Sequence, residues 1–143
     1  MTTNRRAISR GPLLLAVIAT LSACATIAHY NPIAYQNATS LKVECSTVIA
    51  KSTDNYADHK SEAEALQSEL DKAYEFAKGM PKNGDVTKMW ALIRDPSGHL
   101  AGGVLTKWKT EGKLNATFVQ EVSGQVSQGF DQLIALEGAK IKD

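Results

Sequence analysis

An all-α fold is predicted by three features of the sequence. Small and apolar residues recur at steps of three and four over most of residues 32–79, and a second stripe with this spacing follows residue 114. Such spacing places the residues on one face of a helix. Turn-forming clusters at residues 79–84 and 95–98 bound a region of short elements between the stripes. The sequence therefore indicates a long N-terminal helix packed antiparallel against a C-terminal helix.

The first helix is predicted to begin at Asn31-Pro32, since Asn can cap a helix and Pro suits its first turn. Gly79 and Pro81 mark its end. Its apolar face forms a coiled-coil-like seam with one extra step of four near residues 52–56, which indicates either a stutter or a break there. We favour a continuous helix, which would be about 70 Å long at 1.5 Å per residue. The seam residues are Ala34, Ala38, Leu41, Cys45, Val48, Ser52, His59, Ala63, Leu66, Leu70, Ala73 and Ala77.

The region between the two long helices is open to two interpretations. One is a pair of short helices, the first capped by Asp85 and the second spanning residues 100–108. Gly102-Gly103 would cost this second helix roughly 1 kcal/mol each relative to Ala, although both glycines would allow close contact between helices. The other interpretation is a β-hairpin centred on Asp95–Gly98, whose sequence suits a type I turn.

The C-terminal helix has the clearest signals. Asn115 is a favourable cap, and Leu114 and Val119 flank it as a hydrophobic staple. The helix should run to about Glu137-Gly138 and be followed by a polar tail at residues 140–143. Its apolar stripe consists of Val119, Val122, Val126, Phe130 and Leu133.

The first 23 residues have the composition of a secretory signal. They carry Arg5, Arg6 and Arg10 and no acidic residue, and an apolar run follows at residues 12–21. That run is about half of the roughly 20 residues that a transmembrane helix requires. A cleaved signal is therefore predicted rather than a membrane span.

The signal ends in Leu21-Ser22-Ala23-Cys24, which resembles the lipobox of bacterial lipoprotein precursors. The resemblance implies that a diacylglyceryl group is attached to the Cys24 thiol, that the chain is cut before Cys24, and that the mature protein is bound to a membrane. Two or more acyl chains hold a protein stably. Because Ala25 is not the aspartate that marks inner-membrane retention, the resemblance also favours the outer membrane, with the protein facing the periplasm.

This interpretation divides the chain into a signal (1–23), a lipidated tether (24–31) and a single helical domain (32–143). Three of the 16 basic residues lie in the signal, which leaves 13 against 15 acidic residues and a net charge near −2. Without a basic patch, nucleic acid is not an expected partner. Once Cys24 is lipidated, Cys45 has no partner for an intrachain disulfide and should be a small buried residue.

No catalytic, metal or cofactor motif is present in the sequence. His29, His59 and His99 lie 30 and 40 residues apart, and G-x-S-x-G, P-loop and G-x-G-x-x-G motifs are missing. We therefore expect no enzymatic activity, no metal and no cofactor. The acids between residues 58 and 75 alternate with lysines and should form a solvated helix face with Lys60–Glu64 and Glu69–Lys72 pairs.

Two functions are compatible with these features. The first is a membrane-tethered interaction or structural module of the cell envelope, which binds a protein partner or a second copy of itself. The second is a small-ligand or cell-wall binding module that uses a surface formed by Trp90 and Trp108. For the two tryptophans themselves we favour packing in the core of the helical domain, and the ligand or partner surface is the alternative interpretation.

Overall fold

A computed structural model describes residues 28–142, and within this range the chain contains helices and no β-strand. The predicted all-α class is confirmed. Residues 1–27, which include the predicted signal and Cys24, and residue 143 lie outside the described residues. The elements are α1 (Pro32–Ala50), a 3₁₀ turn (Lys51–Thr53), α2 (Tyr56–Gly79), α3 (Gly84–Arg94), α4 (Ala101–Glu111) and α5 (Ala116–Gly138).

The N-terminal helical segment is broken between α1 and α2. After the 3₁₀ turn the backbone is extended at Asp54, and α2 then packs back against α1. Two backbone hydrogen bonds to the segment before α5 hold the break: Leu114 N–H donates to Ser52 O (2.8 Å) and Tyr56 N–H to Gly112 O (2.7 Å). The expectation of one continuous helix is therefore wrong, because contacts with residues about 60 positions away stabilise the reversal.

The predicted seam is nevertheless the buried face of both helices. Every seam residue is buried except His59, which is half-buried. The seam is preserved across the break, since Ser52, at the turn, is also buried. Its hydroxyl donates to Ile49 O (2.6 Å). The N-terminal cap is also confirmed, since Asn31 Oδ1 accepts from the N–H groups of Ile33 (2.9 Å) and Ala34 (3.2 Å).

The region after α2 forms two helices, so the hairpin interpretation is wrong. α3 begins at Gly84, one residue before the predicted cap Asp85, which lies in its first turn. The predicted turn is confirmed by a hydrogen bond from Gly98 N–H to Asp95 O (3.1 Å).

The start of α4 lies against the end of α3. A Cβ atom at Gly102 would lie 2.1 Å from Arg94 O, and one at Gly103 would lie 1.9 Å from Gly98 O. Gly102-Gly103 thus allows the close contact that we predicted. Two helices in close backbone contact therefore stand where the second interpretation placed a β-hairpin.

α5 is confirmed from its cap to its end, with Asn115 Oδ1 accepting from Thr117 N–H (2.8 Å). It packs against α1, where Lys42 Nζ and Asp131 Oδ1 are 2.5 Å apart, and against α3. The prediction of a polar tail is wrong at Lys140, because this residue is buried. Its ammonium group lies 2.6 Å from the carboxylate of Glu137, which is also buried, and within the described residues neither group has a further hydrogen-bond partner.

None of the described helices combines the length and the apolar character needed to cross a bilayer.

Candidate functional site

Trp90 and Trp108 do not form an exposed surface. Their exposed fractions are 2% and 0%. Trp90 packs edge-to-face on Phe130, with ring centroids 5.9 Å apart, and Trp108 packs in the same way on Tyr56 at 5.4 Å. The prediction that the two tryptophan rings form a ligand or partner surface is wrong, because the large rings fill the core of a small domain.

Trp108 instead organises the turn between α1 and α2. Its indole N–H donates to Asp54 O (3.0 Å), and the His59 ring lies 5.9 Å from it. The hydrogen bond satisfies the one polar group of a buried tryptophan. Trp108 therefore ties α4 to the start of α2.

A cleft of about 640 Å³ lies beside this aromatic cluster, between α2, α3 and α4. Its volume falls in the range of small-molecule sites. Tyr56 belongs to both features, since it lines the cleft and packs on Trp108. Burial and the Glu64 carboxylate raise the pKa of Tyr56, which keeps its hydroxyl protonated. The lining residues are Tyr56, Ala63, Glu64, Gln67, Asp71, Ala91, Arg94, Asp95, Pro96, Leu105, Thr106 and Lys109.

Arg94 contacts a carboxylate and an aromatic ring at the wall of this cleft. Its Nη1 lies 2.7 Å from Asp71 Oδ1, and its guanidinium carbon lies 4.0 Å from the centroid of the Tyr74 ring. Gln67 Nε2 donates to Arg94 O and Asp71 Oδ1, both at 3.3 Å. A carboxylate and an aromatic face are the partners that a planar guanidinium prefers.

The other charged groups of the cleft give it a small excess of negative charge. Lys109 Nζ lies 3.9 Å from Glu64 Oε1. The Asp95 carboxylate accepts from the N–H and hydroxyl of Ser97, and these hydrogen bonds lower the pKa of Asp95. Three carboxylates and two cations therefore face the cleft, a set that suits an amine-bearing or zwitterionic group.

Both ends of the described chain meet at one end of the domain. Tyr30 N–H donates to Ile141 O (2.9 Å), and His29 and Ile141 form an isolated β-bridge. Residues Met80–Lys82 line a shared hollow with Ala28–Asn31. We call this region the terminal end: residues 28–33, 80–82 and 141–142. The region where α1 passes into α2 beside Gly112–Leu114 is the distal end.

The other residues singled out in the sequence lie outside the cleft or do not form a site. The Lys60–Glu64 (3.9 Å) and Glu69–Lys72 (2.6 Å) pairs are confirmed on the outer face of α2. Cys45 is buried, as expected, and burial together with Glu44 raises the pKa of its thiol to about 12. Residues 28–142 contain no group of three potential metal-binding side chains.

Sequence reasoning missed the cleft because its Arg94–Asp71 ion pair joins residues that are 23 positions apart on different helices. The one local signal was the Asp95–Gly98 turn, which brings α3 and α4 together at its rim. No known protein family, curated protein or solved structure matches this chain. Its function therefore has to be inferred from its residues and their geometry.

Proposed function

We propose that this protein is a lipid-anchored lipoprotein of the bacterial envelope whose helical domain is an interaction or structural module at the periplasmic face of the outer membrane. The observation that carries the proposal is Leu21-Ser22-Ala23-Cys24, placed directly after a basic segment and an apolar run too short to span a bilayer. In this proposal residues 1–23 are removed and Cys24 holds the acyl chains.

The short tether supports an interaction role close to the membrane. Only three residues separate Cys24 from Ala28, so four extended residue steps reach at most about 14 Å. In this arrangement α1 leads away from the membrane, and α5 runs antiparallel to it and returns. The 24 residues of α2 are about 36 Å long, so the distal end would project well into the periplasm.

The cleft is the part of the domain best placed to meet a protein partner. Its walls include Tyr56, the first residue of α2, and Lys109 near the end of α4, both on the distal side of the domain. Fixed charges at Arg94 and Asp95 would give such a contact specificity. A second copy of the chain is the other partner that this proposal includes.

Lipidation is tested by feeding cells a clickable palmitate analogue and comparing two cysteine variants. We expect labelling and membrane association of the natural chain and of Cys45→Ala, and loss of both in Cys24→Ser, because only a thiol forms the thioether. Cys45→Ala is the matched control, since it removes the other cysteine. Label retained in Cys24→Ser, or missing from the natural chain, would contradict the proposal.

Partner binding is tested with a photo-crosslinking amino acid placed in living cells at Thr106 in the cleft or at Gln128 on the outer face of α5. Both positions are exposed. We expect adducts from position 106 and not from position 128, and the adduct mass distinguishes a second copy from another protein. Equal crosslinking from the two positions, or none from either, would argue against the cleft as the contact surface.

Binding of a small ligand or cell-wall fragment is the second candidate, favoured by the cleft's volume of about 640 Å³, which falls in the range of small-molecule sites. A ligand in the cleft would touch Tyr56 and so alter the emission of Trp108. Titration of the Trp90→Phe protein with peptidoglycan fragments should change its fluorescence, and Arg94→Gln should weaken that response. A flat titration across these fragments would remove this candidate.

A further inference from the structure

The terminal end places exposed apolar side chains beside lysines and an aromatic ring. Ile33 and Ile141 are 55% and 56% exposed. Lys142 Nζ lies 5.1 Å from the centroid of the half-buried Tyr30 ring, and Lys82 is exposed on the adjacent turn. Tyrosine and lysine favour the headgroup region of a bilayer, and aliphatic side chains insert at the boundary between the headgroups and the acyl chains.

We propose that the terminal end is a membrane-contacting surface that binds anionic phospholipid headgroups. This inference rests on the proposed lipidation of Cys24. Because the tether reaches at most about 14 Å, the terminal end would lie within roughly two Debye lengths of the leaflet at physiological ionic strength. A folded protein would not fit easily into so narrow a gap. The bilayer is therefore the surface that the terminal end would contact.

Lys82 and Lys142 are the two cations that this end offers to an anionic lipid, and Asp143 follows Lys142 in the sequence. Other lysines of this part of the domain are paired with acids of their own segments, as in Lys78–Glu75 (3.4 Å), Lys88–Asp85 (3.3 Å) and the buried Lys140–Glu137 pair. Within residues 28–142, Lys82 and Lys142 have no ion pair and remain available to a phosphate. A lysine close to an anionic leaflet strengthens binding about fivefold, so the two together should contribute roughly 25-fold.

The chain allows a single dye to be attached for a direct test. In the lipidated protein Cys24 is acylated, and Cys45 is buried with a pKa of about 12, so neither competes with an introduced thiol. Ile141→Cys places an environment-sensitive dye at the terminal end. Lys113→Cys places it at the exposed distal end and serves as the control. Each full-length chain is processed in cells, purified and reconstituted into phosphatidylcholine/phosphatidylglycerol vesicles that contain nitroxide-labelled lipid.

We expect the dye at position 141 to shift its emission to the blue and to be quenched by the nitroxide lipid, and the dye at position 113 to remain as in water. In the Lys82→Gln/Lys142→Gln background, the ratio of lipid-facing to water-facing molecules should fall roughly 25-fold. The charge-matched Lys107→Gln/Lys113→Gln pair, which lies away from the terminal end, should leave this ratio unchanged.

A dye at position 141 that is as water-exposed as the one at position 113 would overturn the proposal. Equal effects of the two glutamine pairs would overturn the assignment to anionic headgroups. The mass of each purified protein separates this inference from the proposed function. A missing acyl group on Cys24 refutes the anchor, whereas an acylated protein with position 141 in water refutes only the membrane contact.

Discussion

The two ends of the domain are held together by different kinds of interaction. At the distal end, Trp108 packs on Tyr56 and donates to Asp54 O, 54 residues away. Next to the terminal end, the buried Glu137–Lys140 pair joins residues three positions apart, and within that end Tyr30 N–H donates a backbone hydrogen bond to Ile141 O. The distal end should therefore depend on side-chain volume, and the terminal end on charge balance.

Removing the central ring of the distal end should have the largest effect on stability. We expect Trp108→Ala to lower the free energy of unfolding by about 4 kcal/mol, since it empties a fully buried site and removes a hydrogen bond. Urea denaturation followed by circular dichroism measures this change. Hydrogen exchange should accelerate first in residues 52–56 and 112–114, and uniform acceleration over both ends would contradict the proposed difference between them.

Breaking the ion pair should weaken the terminal end. Lys140→Met leaves the Glu137 carboxylate buried without its cation and should cost about 3 kcal/mol. The double variant Glu137→Gln/Lys140→Met should recover most of this loss in the same denaturation assay. Lys142→Met, at an exposed position, is the control and should change stability by less than about 0.5 kcal/mol. If the double variant is no more stable than Lys140→Met, the charge explanation fails.

The contact between α3 and α4, which form two walls of the cleft, is tested by substituting two glycines in different surroundings. Gly102→Ala would place a Cβ 2.1 Å from Arg94 O and should cost about 2 kcal/mol by forcing α4 away from α3. Gly124→Ala, inside α5 with nothing within 4 Å of its Cβ, should instead stabilise the protein by about 0.5–1 kcal/mol. Melting temperatures that move in the same direction for both variants would show that the α3–α4 contact is looser than described.

The smallest change in stability is expected from two asparagines at the starts of helices. Asn31→Ala removes a cap that accepts two N–H groups and should cost about 1 kcal/mol. Asn55 begins α2 without a side-chain hydrogen bond, so Asn55→Ala should be close to neutral. Thermal unfolding of the two variants side by side measures the difference, and equal losses would mean that the Asn31 cap contributes nothing specific.

The sequence predicted those features that local spacing encodes. The seam of α1 and α2 followed from steps of three and four, and Asn31 and Asn115 marked helix starts because their side chains accept hydrogen bonds two or three residues later. The close contact at Gly102-Gly103 was also predictable, since only glycine allows backbones to approach so nearly.

The features that sequence reasoning missed depend on contacts between distant residues. The seam stays in register whether the helix continues past Ser52 or reverses. The reversal is fixed by the hydrogen bond that Leu114 N–H donates to Ser52 O and by the one that Gly112 O accepts from Tyr56 N–H. Tryptophan spacing cannot distinguish a core ring from an exposed one. Lys140 looked like part of a polar tail because its burial depends on packing at the chain ends as well as on Glu137.

We propose that acyl chains on Cys24 attach the domain to a membrane. The most direct test is the intact mass and N-terminal peptide of the protein purified from membranes. We predict a mature chain that starts at Cys24 and carries a diacylglyceryl thioether. A membrane-derived chain that retains residues 1–23, or one whose Cys24 is a free thiol, would contradict this account.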